Sequence, residues 1–114
     1  MDHRLNRHIY DREFRDWLPE RILDAHIHLL HRESYPPDWE PPPRSYQRTL
    51  KGGSFTMNDC LQAASQILPG KDFHGICFAS PAPEVDRECA NSRVARACDR
   101  RRFFGLAVVS PDDA

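Results

Sequence analysis

Long apolar runs are missing from this chain. No stretch approaches the roughly 20 consecutive apolar residues of a membrane-spanning helix, so a helical integral membrane protein is excluded as the expected class. Residues 1–8 are polar and lack the apolar core of a secretory signal, which makes a cytoplasmic location the expectation. An excess of either charge is missing too. The chain of 114 residues carries 16 Lys and Arg against 17 Asp and Glu, a formal net charge of −1. That balance gives nucleic acid or an anionic membrane no purchase as a partner. The run Arg100–Arg102 is local and falls at a predicted helix end, where cations suit the dipole. Paired cysteine spacing is the third absence. Cys60, Cys77, Cys89 and Cys98 form no C-x-x-C, which removes zinc-ribbon and thioredoxin-like motifs. All four read as small buried hydrophobes, kept reduced in a cytosolic setting. No nucleophile stands out, and no catalytic residue is assigned.

What is present is an alternation of strand-like and helix-like segments. Tyr10, Phe14, Trp17 and Leu18 recur at helical spacing before Pro19, which predicts a short helix outside the sheet. A first strand is expected at 21–28. Residues 31–55 contain Pro36, Pro37 and Pro41–Pro43, then Gly52 and Gly53, and predict irregular structure rather than interior helix or central strand. Thr56-Met57-Asn58-Asp59 resembles a capping box, followed by Met57, Cys60, Leu61, Ala64, Ile67 and Leu68 at three- and four-residue steps and a stop at Pro69-Gly70. A second strand is expected at 73–79, a helix at 84–100 with Ala90, Val94, Ala97 and Cys98 as its apolar stripe, and a third strand at 103–109. Ile76 and Leu106 are 30 residues apart, a normal β-α-β repeat.

The segment Arg21–Leu30 carries the chemistry. Strand alternation puts Asp24, His26 and His28 on one face and Ala25, Ile27 and Leu29 on the other. A strand with its second face apolar is expected in a parallel sheet covered on both sides. Two imidazoles on one face at a strand's C-terminal end can close on a metal ion, with Asp24 as a supporting carboxylate. The same histidines could equally cap the strand and bond loop carbonyls, and the pattern alone does not choose. In a barrel the long stretch after the strand would lie on the same rim, where Trp39, Arg44, Tyr46 and Arg48 offer an aromatic with an arginine to seat an acidic or aromatic substrate, and Ser80 could bond it after the second strand. Solvated loop side chains are the alternative for all of them. His74, at the other end of the second strand, is expected to be structural.

Asp24-Ala25-His26-Ile27-His28 resembles the D-x-H-x-H signature that opens the barrel of the amidohydrolase superfamily. Residues 9–19 resemble the acidic-aromatic lead-in before that strand in some amidohydrolase-related proteins. Residues 91–111, with Phe103-Phe104-Gly105-Leu106-Ala107-Val108, resemble their second helix and third strand. The resemblance implies a (β/α)8 barrel and a divalent metal, zinc, held by His26 and His28. It also implies a hydrolase acting by metal-activated water on a C–N, ester or lactone bond of a small molecule, with decarboxylation as a variant. In that family further ligands come from strands four to six and a proton-transferring acid from strand eight.

Length then sets the expected scope. Such a barrel takes about 250 residues, against 114 here. The expectation is therefore an α/β chain holding about three parallel strands and their crossover helices, the N-terminal part of one barrel domain spanning 1–114. Pro111–Ala114 reads as the opening of a further helix. Three strands would leave unpaired edges and an open face, so a homo-oligomer is a possible arrangement. A non-catalytic fragment, or an α/β binding module with an incidental histidine pair, is the alternative function.

Overall fold

The computed structural model describes residues 3–113. Met1 and Asp2 of the expected polar N-terminus, and Ala114 of the expected helix opening, lie outside the described residues. Three strands, β1 (Arg21–His28), β2 (Asp72–Phe78) and β3 (Phe103–Gly105), form one parallel sheet in the order β1-β2-β3. Helix α1 (His3–Ile9) precedes β1, α2 (Met57–Ile67) joins β1 to β2, and α3 (Arg87–Ala97) joins β2 to β3. The chain is α/β. No helix among the described residues is long and apolar enough to cross a membrane.

The core lies on one face of the sheet. Ile27, Leu29, Phe73, Cys77, Ala79 and Phe103 meet Cys60 of α2 and Ala90, Val94 and Cys98 along and after α3. Burying a side chain such as Leu29 or Val94 contributes about 1.5–3 kcal/mol. Gly75 allows the close contact at the centre, since a Cβ there would collide with Ile27 and crowd the Phe103 ring. The expectation of a sheet covered on both faces does not hold. Both crossover helices pack on the same face, and Leu23, Phe104 and Leu106 stay exposed on the other.

The helix starts follow the capping residues. Thr56 and Asp59 close a reciprocal capping box at α2, and Asp86 accepts from the Cys89 N–H at α3. The second helix is shorter than the expected 84–100, because capping at Asp86 delays its start and Cys98 is already extended. The third strand ends at Gly105 rather than 109. Beyond it Asn91 brackets the backbone of Val108, donating to its carbonyl and accepting from its N–H, and so replaces strand pairing. The lead-in helix begins earlier than residue 10 and widens into a π-helical turn over Tyr10–Phe14. Its C-terminal carbonyls are served by buried Lys71, whose Nζ donates to Arg15 O at 2.6 Å and Leu18 O at 3.0 Å.

Residues 31–55 are irregular, with short 3-10 turns at Arg32–Ser34, Tyr46–Thr49 and Lys51–Gly53. Arg32 organises the first part, donating to the carbonyls of Pro36, Pro37 and Trp39. Leu30 and Phe55 exchange backbone hydrogen bonds, which ties the end of β1 to the start of α2.

Candidate functional site

The site grows out of an irregularity in β1. Its pairing with β2 runs Asp24↔Gly75 and then Ile27↔Cys77, so Ala25 and His26 together stand opposite Ile76. This is a β-bulge, and it reverses the alternation of faces. Before it, Ile22 and Asp24 match Phe73 and Gly75 on the helix-covered face. After it, Ile27 matches Cys77 on that face, while His28 matches Phe78 on the open one. The common face expected for Asp24, His26 and His28 therefore holds only for the histidines. Asp24 still acts on the site, through the backbone: its Oδ1 accepts the His26 N–H at 2.9 Å and fixes the bulge.

The two imidazoles converge. His26 Nε2 and His28 Nε2 lie 3.2 Å apart. Both rings meet Phe78 edge to face, with centroids 4.9 and 4.5 Å away. His28 Nδ1 sits 3.2 Å from the Ala79 carbonyl, which can only accept, so Nδ1 carries the proton. In the neutral ring the lone pair is then on Nε2, the atom that lies 3.2 Å from His26 Nε2. A backbone carbonyl behind the ring is the usual way a ligating histidine is oriented. Two nitrogens at 2.0–2.1 Å from a tetrahedral zinc would be about 3.3 Å apart. The separation and the tautomer both fit a shared divalent ion. Among the described residues no group of three or more His, Cys, Asp or Glu side chains is placed to hold a metal.

A cavity of about 460 Å³ runs beside the pair, between the free edge of β1 and α2. Asp24, His26 and His28 form its polar part, and Tyr46, Phe55 and Ile67 belong to its apolar lining. Of the substrate-contact candidates, Trp39, Arg44, Arg48 and Ser80 are elsewhere. Trp39 stacks on Tyr35 at 3.9 Å with the Arg32 guanidinium over its ring, so its surface serves the loop's own packing. Arg44 is exposed and does not line the cavity. Ser80 follows the Ala79 carbonyl that orients His28, but its hydroxyl accepts from the Ala82 N–H. Tyr46, the remaining loop candidate, does line the cavity, together with Phe55, which was not singled out in the sequence. Phe55, directly before the capping box, is where that signal was available.

The other titratable groups play structural parts. His74 Nε2 lies 3.0 Å from Asp72 Oδ2 at the far end of β2, a contact whose geometry falls short of a hydrogen bond. His31 is half-buried, and burial, then Arg93, lowers its pKa. Cys60, Cys77 and Cys98 are buried thiols with raised pKa values, chiefly from burial. Cys89 departs from the expected burial and is half-buried, within 3.6 Å of the Ser34 hydroxyl. The chain matches no protein-family model, no curated protein and no solved structure.

Proposed function

We propose that this chain supplies the metal-holding end of a hydrolytic site of the amidohydrolase kind, with His26 and His28 as ligands to zinc. The observation that carries the reading is the 3.2 Å approach of the two Nε2 atoms with the far nitrogen of His28 bonded to Ala79. A divalent ion there supplies Lewis acidity, which polarises a carbonyl and acidifies water. The protein's own residues do the holding. Ala79 fixes the His28 tautomer, Asp24 fixes the backbone of His26, and Phe78 supports both rings. The substrate class is a small molecule with a C–N, ester or lactone bond, or an aromatic acid to be decarboxylated, entering along the β1 edge.

The sheet supports the finer architecture, three β/α units of a (β/α)8 barrel. Its strands follow chain order, and both crossover helices lie on one side, as the outer helix ring of a barrel does. A doubly wound sheet would carry helices on both faces. A catalytic zinc takes three protein ligands, and the described residues offer two at this site. Residues 1–114 by themselves are therefore expected to bind metal without turnover, the later ligands and the proton-transferring acid coming from further strands.

One observation favours a binding module instead, namely that no third ligand joins the pair among the described residues. In that reading His26 Nε2–H donates to His28 Nε2 and the contact is a neutral hydrogen bond. Calorimetric titration with Zn²⁺ separates the two. The metal reading predicts one ion per chain, weakened at least ~10-fold by His26→Ala or by His28→Ala. Equal affinity in all three proteins would leave the module.

A further inference from the structure

The cavity beside the histidine pair is walled by this chain on three sides: the sheet at β1, helix α2, and the loop that runs from Tyr46 to the start of α2. The loop is tied across the end of β1 by the backbone exchange between Leu30 and Phe55, at 2.9 and 2.8 Å. The volume of about 460 Å³ falls within the roughly 300–1,000 Å³ of small-molecule sites. Most of the lining is apolar, with Tyr46, Phe55 and Ile67 among its walls. Tyr46 and Ile67 are each 62% exposed, so both offer surface that the fold leaves uncovered.

The polar end decides the chemistry of the occupant. Among the described residues the lining holds no Lys or Arg, and Asp24 is its one carboxylate. Asp24 Oδ1 is engaged by the His26 N–H at 2.9 Å, while Oδ2 accepts no hydrogen bond among the described residues. His28 Nδ1 carries its proton toward Ala79 O, which leaves Nε2 as a second acceptor. Two acceptors, one of them a carboxylate, at the end of an apolar cavity call for a donor that carries positive charge. An anion there would meet Asp24 with no cation to offset it.

We propose that the cavity binds a hydrophobic amine, its protonated nitrogen donating to Asp24 and to His28 Nε2, and its aromatic or branched aliphatic body lying against Tyr46, Phe55 and Ile67. The proposal extends the reading of this site to its ligand, and it rests on the same cavity and His28 tautomer without needing the ion. Zinc on the histidines would take the Nε2 lone pair and leave Asp24 to hold the amine.

Two-dimensional NMR titration of the full chain, with chelator present, tests it with three probes of similar shape: 2-phenylethylamine, 2-phenylethanol and 3-phenylpropionate. The amine is expected to bind and to shift the amides around Asp24, Tyr46 and Phe55. The alcohol should bind at least ~10-fold more weakly, the difference that a charge-assisted hydrogen bond makes, and the acid should not bind. Asp24→Asn keeps an oxygen to accept the His26 N–H, so circular dichroism should match the parent while the amine falls to the affinity of the alcohol. Tyr46→Ala should weaken the amine about 3-fold or more, as loss of an aromatic contact does. Absence of amine binding, equal binding of the three probes, or an amine affinity indifferent to Asp24→Asn would overturn the proposal. Zinc titration of the same samples separates the two readings. Amine binding without zinc binding removes the metal site alone, and zinc binding without amine binding removes this proposal alone.

Discussion

The Cys77 thiol is enclosed by sheet and helix, and burial, then its neighbour Cys98, pushes its pKa from 9.0 to about 12. The folded chain holds this proton more tightly than the unfolded chain. The associated stability is therefore fully present below pH 9 and is lost as pH rises through about 12. Cys77→Ala should flatten this alkaline loss between pH 9 and 12 in denaturant titrations, while costing some stability at pH 7 through lost packing. An alkaline limb identical in both proteins would contradict the burial account. The role of Cys77 was legible in the sequence, because an unpaired cysteine in an apolar strand has few other uses. Trp39 was not legible. Whether an aromatic in a proline-rich loop faces a substrate or stacks on Tyr35 depends on how Arg32 folds the loop around its own carbonyls.

Among the elements, β1 and α2 were readable from local signals: an apolar run closed by histidines, and a capping box with a Pro-Gly stop. The bulge at Ala25-His26 was not, because register is set by the partner strand and Gly75 shapes where Ile27 can sit. That one-residue slip moves Asp24 to the opposite face. The ends of α3 and β3 were misjudged for a related reason, since the Asp86 cap and the Asn91 bracket act where periodicity is silent. The irregular loop carries a prediction at this scale. Arg48 is held by the Pro41 and Pro42 carbonyls, and buried Gln47 anchors the Gly53 carbonyl. Arg44 is exposed. Limited trypsin digestion should cut first after Arg44, with α2 intact. Protection of Arg44 alongside early cleavage within 57–67 would show the loop to be better ordered than α2.

For the whole molecule, the α/β class and the parallel order followed from the spacing of elements, since crossovers of this length permit little else. The single helix layer did not follow. A sequence shows that a strand's two faces are apolar but not whether helices cover both, and here the helices among the described residues cover one. The placement of the histidine pair depends on that open face and on the bulge together. Zinc-edge X-ray absorption on the zinc-loaded chain measures the consequence directly. The account predicts two imidazole nitrogens at about 2.0–2.1 Å in the parent, and their loss from the spectrum when His26 and His28 are both replaced by Ala. An unchanged imidazole shell in that double variant would mean that the metal is held elsewhere, and would contradict the assignment of the site.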